Sequence, residues 1–404
     1  MNNKPPFLPF ALPEIGEEEI QEVVDTLRSG WLTTGPRVAQ FEARFAEYVK
    51  APHALAVNSG TAGLHLALAA LGLQPGDEVV TTPLTFCATV NVILQCGARP
   101  VFADIGNDLN MDAAAVKAAI TPATRAILPV HIGGLPCDMD AIWALAEKRR
   151  LHVVEDAAHA AGSRYRGLPI GGGRSDAVAF SFYATKNLTT GEGGMITTSS
   201  RQLEERMRIL CLHGIDKDAW NRYAEAGSWF YEVVDCGYKY NMSDIMAAIG
   251  IHQLRKLDAM NARRAEIAAR YDHAFSNMDE LETPATRPDA FHSWHLYGLR
   301  LNLDRLRIDR AAFIAELKKR GIGCSVHFIP IVLHPYYRQT LKLEDTACPR
   351  AIGEYHRMLS LPIYSRMTDQ EVERVVAAVE AVVRDYRRPV VPVTETGDVL
   401  EIAS

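Results

Sequence analysis

Between residues 50 and 200, short apolar runs alternate with stretches of helical period. The runs are HALAVN (53–58), DEVVTTP (77–83), RPVFADI (99–105), TRAILPVHI (124–132), LHVVEDA (151–157), AVAFSFY (177–183) and GGMITTS (193–199). Most are continuously apolar rather than alternating, as strands buried on both faces are. Between them, TAGLHLALAALGL sets Leu64, Leu68 and Leu71 at i, i+4 and i+7, and DMDAIWALAEKRR opens on acids and closes on bases. This alternation predicts an α/β fold, a mostly parallel seven-stranded sheet with flanking helices. After about residue 243 the pattern becomes a long helix through Met278, a strand-like WHLYGLRLN (294–302) and helices over Asp309–Arg320 and Asp369–Arg384. We therefore expect an N-terminal arm and large domain over 1–250, a smaller α+β domain over 251–390, and an extended or mobile tail over 391–404.

Composition narrows the class without naming a function. Of 404 residues, 48% are hydrophobic and 23% charged, which excludes a small disulfide scaffold and global disorder. The net charge of -6 gives no basic surface, so neither a nucleic-acid nor a membrane partner is expected. Mean hydropathy is -0.06, and no apolar run is long enough to cross a bilayer. The opening MNNKPPFLPFALPEIGEEEI does not read as a signal peptide. Seven cysteines without a Cys-x-x-Cys pair read as reduced thiols, so the expectation is a cytoplasmic protein with no metal site.

Reactive groups gather at two successive strand ends: Glu155, Asp156 and His159 after one, Lys186 after the next. In an open α/β sheet, ligands bind beyond the carboxyl ends of the strands. A partly desolvated lysine can form a Schiff base, and an aspartate can hold a pyridinium nitrogen protonated. The run Asn58-Ser59-Gly60-Thr61-Ala62-Gly63 lies where a strand turns into a helix, a site suited to a phosphate. Each feature has a plainer reading: a solvated lysine, a capping aspartate, small residues serving packing. Their conjunction, in this order, points to pyridoxal phosphate (PLP).

The run EDAAHAAGSRYRGLPIGGGRSDAVAFSFYATKNLTTGEGGMI, with NSGTAGLHLAL and GYKYNMSDIMAAIG, closely resembles the DegT/StrS family of PLP-dependent nucleotide-sugar aminotransferases. The resemblance runs from about Pro9 to Arg384, and SGWLTTGPRVAQFE and VHFIPIVLHPYY are similar to its ArnB-type branch. It implies a fold type I architecture and a homodimer with shared active sites. It further implies L-glutamate as donor, returned as 2-oxoglutarate, and a nucleotide-linked keto sugar as acceptor. By the same resemblance Lys186 carries the cofactor, Asp156 pairs with the ring nitrogen, His159 lies by the ring and Phe86 stacks on it. Gly60, Thr61, Ala62 and Ser181 hold the phosphate, with Asn241 from the other subunit; Thr33, Thr34, Lys239 and His327 are substrate-pocket candidates. The sequence departs from that branch at Phe86, at SFYATK and at GEGG.

A 4-keto acceptor is preferred to a 3-keto one, on a UDP or dTDP carrier, for surface polysaccharide, lipopolysaccharide or antibiotic sugars. The segment GIDKDAWNRYAEAGSWFYEVVD (214–235), with Arg222, could contact a nucleotide or a dimer partner. Two other classes compete. One is a non-catalytic regulator of the same fold, which an intact Lys186 and Asp156 disfavour. The other is an NAD-dependent Rossmann enzyme, for which no G-x-G-x-x-G follows the first strand.

Overall fold

The computed structural model describes residues 6–216, 230–344 and 346–389. The arm leads into α1 (Glu17–Ser29) and α2 (Pro36–Val49). The chain then alternates through β1 (His53–Val57), α3 (Gly60–Ala70), β2 (Glu78–Thr81), α4 (Cys87–Gln95), β3 (Arg99–Phe102), α5 (Ala113–Ala119), β4 (Thr124–Leu128), α6 (Met139–Arg149) and β5 (His152–Asp156). A hairpin of β6 (Arg164–Tyr165) and β7 (Leu168–Pro169) leaves the sheet before β8 (Ala177–Ser181), β9 (Gly194–Thr198) and α7 (Arg201–Cys211) complete it. All seven expected strands form one sheet of order β1-β9-β8-β5-β4-β2-β3. Only β9 runs antiparallel to its neighbours. Each strand is shorter than its apolar run; after β2, β4 and β5 the rest of the run continues as buried loop.

Local chemistry sets the helix limits. Ser59 Oγ accepts from Ala62 N at the start of α3, Asp138 does the same for α6, and Arg150 ends α6 in the left-handed region. From α2, Phe41 and Phe45 pack on Phe180 of β8 and on Phe182 just beyond it, the Phe45 and Phe180 rings 5.0 Å apart. Leu64 and Leu68 of α3 are buried against Val57, Ala179 and Ile196.

Ser243 caps α8 (Asp244–Phe275), which is followed by β10 (Leu281–Glu282), β11 (Ala290–Phe291), β12 (Tyr297–Leu301), α9 (Arg310–Lys319), α10 (Pro335–Leu341), α11 (Pro349–Arg357), β13 (Met358–Leu361) and α12 (Asp369–Tyr386). α8 crosses α2 closely: a Cβ on Gly250 would lie 2.6 Å from the Phe41 ring. Its second half presents Ile267, Tyr271 and Phe275 to a separate core with Tyr297 and Leu299 of β12, Phe313 of α9 and Val379 of α12. The strands β10, β12 and β13 form a three-stranded antiparallel sheet over this core. β13 was not evident from the sequence because MLSL directly continues the amphipathic α11. Leu8 exchanges backbone bonds with Gly321 and Gly323, at 2.8 Å each, and so fastens the arm to the C-terminal core. The 391–404 tail lies outside the described residues.

Candidate active site

The carboxyl ends of β1, β5 and β8 surround a cavity of about 470 Å³. Gly60 and Thr61 stand at one end of it, Asp156 and His159 line its floor, and Phe86, Ser181, Lys186 and His327 complete the wall.

Asp156 is the last residue of β5 and 5% exposed. Its Oδ2 accepts from Thr89 Oγ1 at 2.8 Å and its Oδ1 from the Ala158 N–H at 3.1 Å. A hydroxyl has one hydrogen, so Thr89, having given its own to Asp156, accepts from Thr85 Oγ1 at 2.7 Å. Burial raises the Asp156 carboxyl above its ordinary range, opposed by the Thr89 and Ala158 bonds and by the charges of Lys186 and His131.

Lys186 sits in the turn after β8, its N–H bonded to the Tyr183 carbonyl at 2.9 Å. Its Nζ makes no hydrogen bond or ion pair among the described residues. Burial lowers it from the ordinary 10.5 to about 8, with Asp156 pulling the other way. His159 is buried, and the Gly133 N–H donates to its Nδ1 at 3.2 Å. Its ring hydrogen therefore sits on Nε2. Burial first, then the Lys186 and His327 charges, hold His159 well below its ordinary range, so it is neutral. Its ring stacks on Phe328 at 5.7 Å and tilts against His295 at 4.5 Å.

The N–H groups of Gly60 and Thr61 open α3 and meet no acceptor among the described residues. They lie at the positive end of an eleven-residue helix. Only glycine fits at residue 60, since a Cβ would come within 2.8 Å of the Ser181 Cβ. The Ala62 N–H is instead committed to Ser59 Oγ at 3.1 Å, and Ala62 does not line the cavity. Phe86 is 59% exposed at the cavity mouth.

Thr33, Thr34, Lys239 and Asn241 are not brought to this cavity. Asn241 Nδ2 donates to Thr34 Oγ1 at 2.7 Å, and both residues line a second cavity of about 220 Å³ with Glu42 and Arg208. Ser243 caps α8, whose Asp244 N–H donates to the Thr33 carbonyl at 3.1 Å. Lys239 is exposed. Arg222 lies outside the described residues.

Sequence reasoning missed Thr85, Thr89, His295, Phe328 and Phe10. The i, i+4 spacing of the two threonines around the start of α4 was a usable signal. Phe10 and Phe328 reach the cavity only through tertiary packing.

These groups fit PLP. Asp156 has acceptor positions left for a ring N–H, Lys186 has an unpaired amine for an aldehyde, and the α3 terminus has free donors for a phosphate. Fold and cavity define a PLP-dependent aminotransferase of fold type I. The chain belongs to the DegT/DnrJ/EryC1/StrS aminotransferase family, which matches residues 13–380. It is 53% identical over 380 residues to the spore coat polysaccharide biosynthesis protein SpsC of Bacillus subtilis, covering 94% of this chain and 97% of that one. The PMP form of Spr1654 from Streptococcus pneumoniae superimposes with a TM-score of 0.88 at 37% identity, covering 94% of this chain and 99% of that one. PseC of Helicobacter pylori, an aminotransferase of pseudoaminic acid biosynthesis, gives 0.87 at 30%, covering 94% and 100%.

Proposed function

We propose that this sugar aminotransferase moves the amino group of L-glutamate, released as 2-oxoglutarate, to a nucleotide-linked keto sugar. The preferred acceptor is a 4-keto sugar on a UDP or dTDP carrier. The SpsC and PseC likenesses support a role in supplying amino sugars for a surface polysaccharide, and the ArnB-like opening segment favours the 4-keto position. The observation that carries the reading is an unpaired Lys186 amine in the same cavity as a buried, half-satisfied Asp156 and the free N-terminus of α3.

When bound, PLP supplies an electron sink for the carbon bearing the amine. Lys186 would hold it through its amine and would serve as the base that moves a proton at that carbon. Asp156 keeps the ring nitrogen protonated, His159 presents its Nε2 hydrogen beside the ring, and Phe86 covers a ring face. The N–H groups of Gly60 and Thr61, with the Ser181 hydroxyl, hold the phosphate. Ala62 serves by its small size at that turn. His327 reaches the substrate from the cavity wall. Thr33, Thr34, Lys239 and Asn241 complete the site of the second subunit in a homodimer, a reading supported by Thr34 and Asn241 lining a cavity other than the one that holds Lys186 of their own chain.

The test is an absorption spectrum of the purified enzyme titrated with L-glutamate, followed by UDP- and dTDP-linked 4-keto and 3-keto sugars. Conversion of the yellow form to the pyridoxamine form, reversed by a 4-keto sugar, is expected. Lys186→Ala should lose turnover. Full activity in that variant overturns the lysine assignment, and reversal only by 3-keto sugars overturns the acceptor assignment.

A further inference from the structure

Lys186 stands in a stretch, residues 183–188, that is neither helix nor strand. Within it the Lys186 N–H donates to the Tyr183 carbonyl at 2.9 Å. Among the described residues, every hydrogen bond that joins this stretch to residues outside 181–191 is made by one side chain, the amide of Asn187. Asn187 is 4% exposed, and its amide is used in full. Nδ2 gives one hydrogen to Asn261 Oδ1 at 2.7 Å and the other to the Ser293 carbonyl at 2.7 Å. Oδ1 meets His295 Nδ1 at 3.1 Å. Backbone carbonyls decide which way the two amides point: Asn261 Nδ2 donates to the Ala161 carbonyl at 3.0 Å, so Asn261 Oδ1 is left to accept. Asn187 Oδ1 can then only accept, and the hydrogen between it and His295 sits on Nδ1.

Asn261 lies on α8 and is 1% exposed. Glycine at residue 162 gives it room, since a Cβ there would lie 2.3 Å from the Asn261 Nδ2. The Ala161 carbonyl that it holds belongs to the loop carrying His159, and Ser293 Oγ gives to the His159 carbonyl at 3.1 Å. The Lys186 turn and the His159 loop thus hang on the same two anchors, α8 and the segment that leads into β12. Neither Asn187 nor Asn261 lines the cavity.

We propose that Asn187, paired with Asn261, is a positioning residue for Lys186: by tying the turn to α8 and to Ser293 it fixes how far the amine reaches into the cavity. The assignment rests on Lys186 being the reacting amine. A lysine is a charge on a flexible stem, so the placement its chemistry needs must come from the backbone beneath it. A misplacement of about 1 Å costs about a hundredfold in rate. The amide pair supplies that placement from below, and it refers the turn to the same elements that hold His159.

Three variants separate placement from mere stability. Asn187→Leu keeps the bulk of the side chain and removes all three bonds; Asn261→Ala removes the acceptor on α8. Tyr297→Phe is the control, deleting a buried 2.7 Å bond to Asp272 in the C-terminal core. In apoprotein, burial holds the Lys186 amine at about 8. Acylation of Lys186 followed against pH by mass spectrometry should move to higher pH in Asn187→Leu and in Asn261→Ala, because a loosened turn lets water reach the amine. The double variant should move no further than Asn187→Leu alone. Tyr297→Phe should lose stability to denaturant and keep the wild-type profile. Asp156, His159, His295, His327, Tyr183 and Glu192, the titratable groups that line the cavity with the amine, are unchanged across this series. In loaded enzyme the single-turnover reaction with glutamate should fall about 10- to 100-fold in Asn187→Leu at an unchanged half-saturating glutamate concentration. A wild-type acylation profile in Asn187→Leu, or a shift shared by Tyr297→Phe, overturns the proposal. Should Asn187→Leu fail to fold, the profile of Asn261→Ala decides in the same way. A wild-type enzyme that glutamate does not convert would overturn the functional reading, while the acylation profiles of apoprotein would still judge Asn187.

Discussion

Glu155 and Asp156 are consecutive acids on β5, 2% and 5% exposed, and strand alternation turns them to opposite faces of the sheet. Glu155 meets a closed set of donors. Ser175 Oγ gives to its Oε1 at 2.5 Å, while the Trp143 Nε1–H is bonded to that hydroxyl at 2.8 Å. His131 Nε2 gives to its Oε2 at 2.8 Å, and the hydrogen must be there because His131 Nδ1 accepts the Cys137 N–H at 3.0 Å. Asp156 has one donor on each oxygen and the remainder of its acceptor capacity facing an open cavity. Equal burial therefore does not mean equal role: the first acid is finished by the fold and the second is left for a ligand to finish.

The sharpest way to break this contrast is to neutralise each acid in turn. Asp156→Asn should slow the glutamate half-reaction at least about a thousandfold, roughly 4 kcal/mol at 1.36 kcal/mol per decade. Glu155→Gln, measured in the same stopped-flow experiment, should stay within about threefold of wild type. Equal losses in the two variants would make the comparison meaningless.

Stability should rank them the other way. Glu155→Ala strands the His131 Nε2–H and the Ser175 hydroxyl in a dry interior, a loss of about 3–5 kcal/mol from unmet donors and the space left behind. Denaturant unfolding of apoprotein measures it. A loss under about 1 kcal/mol would mean that water reaches this face.

Lys186 belongs with Asp156 as a group the fold holds against its preference. Its folded pKa of about 8 lies below the ordinary 10.5, so the charged amine weakens apoprotein throughout the range below about 8. The penalty fades as pH rises from about 8 to 10.5, where the amine is neutral in both states. Lys186→Met should accordingly stabilise apoprotein by about 3 kcal/mol at pH 7, at 1.36 kcal/mol per decade. The gain should shrink toward zero near pH 10.5, and a pH-independent gain would trace it to packing instead.

The sequence made one side of β5 far more legible than the other. Asp156 and Lys186 follow apolar runs at strand ends, so order along the chain was enough to pair them. Gly60 and Thr61 were visible for the same reason, at the strand-to-helix turn after β1. The partners of Glu155, His131 and Ser175, come from two distant segments with no shared period, and nothing in VVEDAA marks Glu155 as the structural acid of the two. His295 was hidden by its own strand pattern, because WHLYGLRLN reads as core until Asn187 and Asn261 are known to hold its ring. Thr33, Thr34 and Asn241 carried family likeness but no local physics to say which cavity they line.

The smallest expected effect tests how much of the Asp156 behaviour comes from its own support. Thr89→Val keeps the shape of the side chain at the first turn of α4 and removes the hydroxyl that donates to Oδ2, leaving only the Ala158 N–H. Burial then acts with less opposition, and the carboxyl should rise further above its ordinary 3.8. A raised carboxyl contributes stability that is present below its unfolded value and lost as pH climbs through the folded one. Apoprotein of the variant should therefore lose stability more steeply than wild type as pH rises above about 4. With cofactor bound, a carboxyl more reluctant to ionise holds the ring proton less firmly, so the half-reaction should slow about tenfold, near 1.4 kcal/mol. Thr89→Ser, which returns the hydroxyl, should recover both. A wild-type pH profile in Thr89→Val would mean that the Ala158 N–H alone sustains Asp156, and the difference between the two acids would then rest on the face of the sheet rather than on the number of donors.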